Sequence, residues 1–402
     1  MEQNVNGSGG VGAIALTNLK AVPQRWGASL VVVVGMAGVI GVMVALLAMA
    51  GGLRDTFRAA GRADRAIVMA SEQDTGMASS ITREQLPIVL DLAGFKHDAE
   101  GKPLVVAQKF MTSELTERET GTLVAGVLRG VSGQVWKVLP EIKIVEGVPF
   151  TPGKREAVVG RAAQREFEGL SLGSEVSLAN GKWKIVGVYE APGTIYESEM
   201  IGDVEMVFPG YSLTGQYSSV IGVLESEAAL QTLKDAIKRD PRLSHAAVRE
   251  TDYYVTLSNN LGGALVAFGY AVAGIMALGA LFAAINTMYA AVKARSREIA
   301  TLRALGFGGL PVLCSVLLES LALCVAGGLI GGLTAYVAFN GYTMSTVGGG
   351  GNGLEQTVFA FRVTPAILLQ AAAGALAVGL LGGVMPALRA ARLPVAEALR
   401  AA

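Results

Sequence analysis

Four stretches of this chain are long, apolar and free of charge, and they restrict the folds available to it. A bilayer core about 30 Å thick is crossed by about 20 apolar residues of helix. Residues 28–53, 261–292, 320–340 and 365–388 each reach that length without an Asp, Glu, Lys or Arg. A buried core helix is the alternative for each stretch, but an uncharged run of this length favours lipid. The sequence therefore predicts an integral membrane α-helical protein with four transmembrane helices.

The first apolar stretch has a second interpretation. Ala48-Met49-Ala50 has the small-residue pattern that a signal peptidase cleaves. However, the segment that precedes the stretch and the apolar run itself are both longer than a signal peptide needs. We therefore prefer a retained transmembrane helix.

Most of the charge lies between the first two apolar stretches. The chain has 33 Lys plus Arg and 33 Asp plus Glu, and most members of both groups fall between Arg54 and Asp252. This concentration predicts a large α+β extracytoplasmic domain between helices 1 and 2. The zero net charge disfavours nucleic acid as a partner. Cys314 and Cys324 are ten residues apart in an apolar segment, so they offer neither a disulfide nor a zinc site.

Basic residues near the ends of the apolar stretches predict the orientation, because cytoplasmic loops are enriched in Lys and Arg. They cluster before the first stretch, after the second and after the fourth: Lys20, Arg25, Lys293, Arg295, Arg297, Arg303, Arg389, Arg392 and Arg400. Arg54 and Arg58 do not follow the rule, which large translocated domains obey loosely. The expected order is a cytoplasmic segment (1–27), helix 1 (28–53), the outer domain (54–252), a stalk and helix 2 (253–292), a cytoplasmic coupling loop (293–308), helix 3 (309–340), an outer loop (341–364), helix 4 (365–388) and a cytoplasmic tail (389–402).

Local patterns predict several elements of the outer domain. Val176, Leu178, Trp183 and Ile185 alternate with polar residues around Asn180-Gly181, which predicts a β-hairpin with a type I′ turn. Strands are also predicted at 104–110 and 123–131, and helices at 161–168 and 227–239.

The segment Gly169-Leu170-Ser171-Leu172-Gly173 matches the G-x-S-x-G pattern of a nucleophile elbow. Such an elbow needs a strand before the Ser and a helix after it, whereas a helix is predicted before Ser171 and a hairpin after it. We therefore predict a plain turn, and a hydrolase using Ser171 is the least favoured function. No catalytic, cofactor-binding or metal site is predicted in the chain.

The loop between helices 2 and 3 has a helical pattern. Ile299, Leu302 and Leu305 fall on one face, and Gly306 can end the helix. The charges expected to surround that face are Arg295, Arg297, Glu298 and Arg303. A helix of this kind either docks in a groove of a partner or lies on lipid headgroups through its arginines. The predicted cytoplasmic segments are too short for an enzyme domain, so a cytoplasmic partner is expected to be a separate chain.

Three segments carry a resemblance to a known family. They are KARSREIATLRALG (293–306), MPALRAARLPVAEALR (385–400) and WKIVGVYEAPGTIYESEMIGD (183–203). They resemble the FtsX/MacB-type ABC transporter permeases, also called the mechanotransmission family. The resemblance covers most of the chain but not residues 71–123, where substrate identity would be decided.

The resemblance implies a bacterial inner-membrane permease with no catalysis of its own. It implies a dimer with a second permease copy or paralogue, and a cytoplasmic ABC ATPase that binds ATP and Mg and contacts the coupling loop 293–308. A periplasmic adaptor or lipoprotein and membrane lipid are further implied partners, and a lipid, lipoprotein, peptide or drug is the implied cargo. The alternative function is a membrane-anchored binding or sensor protein with a separate signalling partner, which a bound ATPase would exclude.

Features inside the apolar stretches add three expectations. Residues 253–292 are 40 uncharged residues, about 60 Å as a helix, and predict a continuous helix that links the outer domain to the coupling loop. Glu319 marks the cytoplasmic edge of helix 3 or serves an ion or proton role. Close helix packing within or between subunits is predicted from three G-x-x-x-G patterns, formed by Gly327, Gly328, Gly331, Gly332, Gly379 and Gly383.

Overall fold

The computed structural model describes residues 26–71, 79–179, 181–209, 216–304, 308–345 and 358–392. These residues form two compact units. The helical unit contains the described residues up to Gly51, Gly263–Tyr342 and those from Phe361 onward. The sheet unit contains Gly52–Gly262 and the described part of Thr343–Ala360.

The helical unit consists of helices, and the sheet unit contains helices as well as strands. Those in the described part of the chain are α1 (Trp26–Ala60), α2 (Leu86–Leu90), α3 (Val135–Val138), α4 (Arg161–Glu166), α5 (Val204–Val207), α6 (Ala229–Arg239), α7 (Glu250–Ala294), α8 (Ser296–Ala304), α9 (Gly309–Phe339) and α10 (Pro365–Ala391), with a 3₁₀ turn at Ile195–Ser198.

Strands belong to the sheet unit. Their bounds are β1 (Arg65–Met69), β2 (Ile81–Thr82), β3 (Val105–Thr116), β4 (Leu123–Val131), β5 (Lys143–Gly147), β6 (Glu156–Gly160), β7 (Glu175–Leu178), β8 (Gly181–Glu190), β9 (Glu199–Asp203), β10 (Gln216–Tyr217), β11 (Ser219–Val223), β12 (Ala246–Arg249), β13 (Thr343–Ser345) and β14 (Val358–Ala360).

Four helices, α1, α7, α9 and α10, are long and apolar enough to cross a membrane. They coincide with the four apolar stretches, although three of them extend well beyond the uncharged residues. Helix α1 continues to Ala60, and α9 begins at Gly309 rather than at the start of the uncharged run. Helix α7 is continuous over 45 residues, or about 68 Å at 1.5 Å per residue.

The glycines of α9 and α10 lie where helices approach closely within the helical unit. A Cβ at Gly327 would be 2.6 Å from the carbonyl oxygen of Val33 in α1, and one at Gly331 would overlap the Ala37 carbonyl. Gly328 and Gly332 face α10 instead, at Ala375 and Leu368. From the other side, Gly379 and Gly383 of α10 face α9, at Cys324 and Ser320. The overlapping patterns thus serve two different neighbours of α9.

A mixed sheet of ten strands organises the other unit. Its order is β12-β1-β11-β3-β4-β9-β6-β8-β5, with β7 paired to β8. The β4–β9 and β6–β8 pairs are parallel, and the other neighbours are antiparallel. Two apolar clusters pack on it, one including Phe95 and Leu233 and the other centred on Trp183. This architecture confirms the predicted α+β class.

Local sequence patterns predicted parts of this sheet correctly. The hairpin is confirmed, because β7 pairs antiparallel with β8 and Val176 lies opposite Trp183. Gly181 has a φ of +119°, which a turn residue without a Cβ adopts readily, and Asn180 lies outside the described residues. The predicted strand at 104–110 is longer, Val105–Thr116, and the helices at 161–168 and 227–239 are shorter, Arg161–Glu166 and Ala229–Arg239.

Candidate functional site

Arg295 is the single residue between α7 and α8. Its N–H donates to the carbonyls of Ala291 and Val292, each at 3.2 Å, and its own carbonyl accepts from the N–H of Ile299 at 3.0 Å. Backbone hydrogen bonds therefore continue through the corner between the two helices.

The Arg295 side chain forms a buried ion pair with Glu319 of α9. Arg295 Nη2 lies 2.5 Å from Glu319 Oε1, and the two side chains are 9% and 7% exposed. We call these two residues the corner pair. The pair joins the α7–α8 corner to the third turn of α9, because Glu319 lies ten residues after Gly309.

An apolar cluster continues from the corner pair. Ile299 packs with Val292 of α7, Val312 and Val316 of α9, and Ala387 and Ala390 of α10. Beside it lies a cavity of about 40 Å³ whose lining includes Arg295, Ser315 and Glu319, a volume that can hold water. Arg295 Nε is buried and has no hydrogen-bond partner in the described chain.

The structure corrects two expectations about the loop. Arg295 is not an exposed rim charge, and Ile299 is not an exposed anchor, since both face the helical unit and are 7% exposed. Ile299 belongs to an apolar face as predicted, but residues of α9 and α10 pack on it.

The remaining predicted residues of the loop are placed as follows. Arg297 and Glu298 are exposed, and Arg303 is half-buried. The Leu302 side chain, Leu305 and Gly306 lie outside the described part of the chain.

Glu319 lies inside α9, because the helix starts at Gly309. Whether it marks the cytoplasmic edge of the span or serves an ion or proton role stays a prediction. A carboxylate buried in an apolar helix needs a partner, and Arg295 provides one. Sequence reasoning treated Arg295 only as a marker of orientation and a rim charge, although a lone acid in one span and a basic residue at the end of another are the signal for such a pair.

A second buried ion pair holds the start of α7 in the sheet unit. Arg65 of β1 donates from Nε to Glu250 at 2.6 Å, and its other nitrogens reach Glu141 at 2.6 Å and the Val138 carbonyl at 2.8 Å. Arg65 and Glu250 are 1% and 0% exposed. Glu250, the first residue of α7, also accepts from the Arg62 N–H at 2.9 Å and the Tyr196 hydroxyl at 3.3 Å.

Arg129 and Glu199 form a third buried pair, on β4 and β9. Two parallel hydrogen bonds of 2.6 and 2.7 Å join the guanidinium to the carboxylate. The guanidinium lies between the rings of Phe110 and Tyr196, 4.6 and 4.7 Å from their centroids. Burial raises the pKa of the Tyr196 hydroxyl well above its ordinary value. Sequence analysis missed this pair, although a single charge within an apolar strand, as in β4, is its signature.

The two arginines that do not follow the orientation rule both contact α7. Arg58 donates to Asn259 at 3.2 Å. The Arg54 side chain crosses Gly262 so closely that a Cβ there would be 2.6 Å from Arg54 Nε. These residues of the sheet unit join the end of α1 to the beginning of α7, so their side chains serve helix pairing.

The structure places Ser171 in the predicted turn. It lies in a turn between α4 and β7, which is the reverse of the strand–turn–helix order of a nucleophile elbow. Among the described residues, no group of three or more His, Cys, Asp or Glu is placed to hold a metal ion.

Two family models match successive parts of the chain. Residues 29–240 match the MacB-like periplasmic core domain, and residues 270–395 match the C-terminal part of FtsX-like permeases.

Three curated relatives are similar in sequence. An uncharacterized ABC transporter permease, YknZ of Bacillus subtilis, is 24% identical over 96% of this chain and 98% of its own. The macrolide export ATP-binding/permease protein MacB of Nitrobacter winogradskyi is 29% identical over 59% of this chain and 37% of its own. The pyoverdine export ATP-binding/permease protein PvdT of Pseudomonas entomophila is 30% identical over 64% and 40%. The chain thus spans about two fifths of the last two.

Two solved structures are similar to part of the chain. The extracellular domain of YknZ matches 46% of this chain and 99% of its own, with 19% identity and a TM-score of 0.33. The periplasmic region of MacB from Actinobacillus actinomycetemcomitans matches 52% and 98%, with 12% identity and a TM-score of 0.38.

Proposed function

Because the chain belongs to the FtsX/MacB-type family of ABC transporter permeases, we propose that it transmits ATPase-driven motion to the sheet unit on the outer side of a bacterial inner membrane. The observation that carries this proposal is α7. Its first residue, Glu250, is bound by the buried Arg65, and its last, Ala294, adjoins the Arg295 corner. A helix hydrogen-bonded along its whole length can carry a displacement from one end to the other.

The ATPase is a separate chain in this proposal, and it docks on α8. Arg297 and Glu298 are exposed there and supply the polar rim. Since Ile299 is used inside the helical unit, Leu302 and Leu305 are the remaining apolar anchors. ATP and Mg belong to the ATPase, and this chain contributes no catalysis.

The sheet unit handles the cargo in this proposal. The printed names of two relatives state macrolide export and pyoverdine export for those proteins. For this chain we propose a lipid, lipoprotein, peptide or drug, with a second permease copy or paralogue completing the complex. A periplasmic adaptor or lipoprotein is a further proposed partner. Both termini lie in the cytoplasm.

A pull-down of the tagged chain from bacterial membranes tests the ATPase contact. We expect Leu302→Asp to reduce the co-purified ATPase at least tenfold. The reason is that loss of a buried anchor costs about 1.4 kcal/mol or more, and about 1.4 kcal/mol corresponds to a factor of ten in affinity. Ser296→Asp is the matched control, since it places the same carboxylate at the start of α8, where the helix dipole favours it.

Substituting a rim charge of α8 should have a weaker effect on ATPase binding. Arg303→Ala should weaken binding in a salt-dependent manner, because exposed charge pairs contribute about 0–1 kcal/mol. If Leu302→Asp retains the ATPase as fully as Ser296→Asp does, α8 lies on lipid headgroups and the docking proposal is wrong.

A further inference from the structure

We propose that Arg295 and Glu319 are positioning residues for ATPase coupling: their ion pair makes α8 and α9 move together when the ATPase moves α8. This inference rests on the proposed function. The inference adds two features to the proposed function: a second transmission element, α9, and a residue, Glu319, that would not touch the ATPase.

The first step is the geometry of the corner. Arg295 is the only covalent link between α7 and α8 and is not part of either helix. Without a further contact, α8 can tilt about this residue while α7 stays in place. The guanidinium prevents this tilt, because it is held 2.5 Å from Glu319 in a different helix.

The second step is the strength of the contact. Both side chains are more than nine-tenths buried, so opening the pair leaves two charges with only the small adjoining cavity to hydrate them. Removing one partner of such a pair is strongly unfavourable. The pair therefore behaves as a closed contact that resists a tilt of α8.

The third step is what surrounds the pair. Ile299 lies one turn further along α8 and packs on Val312 and Val316 of α9. The segment 295–299 is thus attached to α9 at two points about one turn apart, by the ion pair of Arg295 and by the apolar packing of Ile299. Apolar packing tolerates sliding between surfaces, whereas an ion pair with one short hydrogen bond fixes the position along α9.

A cavity adjoins the pair. Its volume is about 40 Å³, its lining includes Arg295, Ser315 and Glu319, and Arg295 Nε is buried without a partner among the described residues. Packing around the guanidinium is therefore loose on this side, and the ion pair adds a directed contact to the apolar packing of Ile299.

The test replaces the pair without leaving a buried charge. Single variants risk misfolding, so the decisive variant is Arg295→Met with Glu319→Met, since buried pairs are often replaced by apolar residues without loss of stability. It is measured with the ATPase that co-purifies with the wild-type chain. Arg392→Gln, an exposed arginine at the end of α10, is the control for loss of a basic residue.

We expect the double Met variant to insert and to retain the ATPase at the wild-type ratio. The permease-dependent stimulation of ATP hydrolysis should fall at least tenfold in its maximum rate, with the KM for ATP unchanged, because the nucleotide site is in the partner. Arg295→Lys keeps the charge but loses the planar fork, so it should retain more stimulation than the double Met variant.

Two results overturn the positioning role alone. One is wild-type stimulation in the double Met variant; the other is loss of insertion or ATPase binding in that variant, which makes the pair a folding requirement. If the wild-type chain neither binds nor stimulates an ATPase, the proposed function itself is wrong and this inference is wrong with it.

Discussion

Glu250→Gln tests whether charge, and not only hydrogen bonding, holds the start of α7 in the sheet unit. Glu250 accepts hydrogen bonds from Arg65 Nε, the Arg62 N–H and the Tyr196 hydroxyl. A glutamine can keep the same shape, and its oxygen can accept the first two bonds. The substitution therefore removes the negative charge and leaves most of the contacts in place.

The expected cost follows from the environment of Arg65. Breaking a buried ion pair by removing one charge typically costs about 3–5 kcal/mol. Arg65 keeps a second carboxylate, Glu141, at 2.6 Å, which is 20% exposed and offsets part of the loss. We therefore expect Glu250→Gln to lower the free energy of unfolding of the sheet unit by about 2–3 kcal/mol.

The assay is urea unfolding of the full chain in detergent, followed by the fluorescence of the fully buried Trp183. Trp26 and Trp136 are replaced by Phe so that the signal reports the sheet unit. Glu141→Gln is the matched control and should cost about 1 kcal/mol, because Glu141 is partly solvated. Equal effects of the two substitutions would show that the Glu250 charge contributes nothing beyond its hydrogen bonds.

Three further expectations concern other parts of the chain. Gly331→Ala should weaken the association of α1 with α9, because the added Cβ would overlap the backbone of α1. Gly35→Ala is the control and should be neutral or stabilising, because its added Cβ would meet no neighbouring helix within 4 Å. Thermal unfolding in detergent compares the two variants. In a chain without native cysteines, Glu119→Cys should react with an impermeant maleimide from outside and Arg392→Cys only after the membrane is opened, and the reverse pattern would refute the orientation. Burial and a hydrogen bond to Glu205 raise the pKa of Tyr217 to about 12. The contribution of this shift to stability is therefore present below about pH 10 and is lost as the pH rises through about 12. The unfolding midpoint of Tyr217→Phe should fall less steeply than that of the wild type between these pH values.

Local features of this fold were predictable because their cause is local. The β7–β8 hairpin depends on alternation around Asn180-Gly181, and the long helices depend on apolar runs that contain their own signal. The strand order was not predictable, since β1, the first strand of the unit, pairs with β11 and β12 from near the end of its long segment. Such pairing depends on which surfaces meet, and a single sequence does not state this.

At the candidate site, too, the sequence indicated a local feature but not which residues pack against it. Spacing at Ile299 identified an apolar face, but α9 and α10 decide that this residue is buried. Charge at Arg295 indicated a cytoplasmic end, whereas its partner Glu319 lies 24 residues away in another helix. A lone acid and a lone base in two helices indicate that a pair can form, but they leave no periodic pattern that assigns the partners, so the structure is needed to assign them.

In the proposed function, the ends of α7 should matter more than its middle, because its buried ion pairs lie at or next to its ends. No charged residue occurs in residues 253–292, so the middle of the helix cannot form an ion pair. Its large apolar side chains there, including Phe268 and Ile275 at 61% and 72% exposed, are available to lipid or to a second copy of the chain. At one end Glu250 binds the buried Arg65, and at the other Arg295 binds Glu319. In the proposed function, a displacement at one end of this continuous helix is passed to the other end along its axis, and the two buried ion pairs connect those ends to their surroundings. Substitutions of the exposed apolar residues in the middle should therefore change membrane or subunit contacts, whereas those at Glu250 or Arg295 should lower the permease-dependent stimulation of ATP hydrolysis.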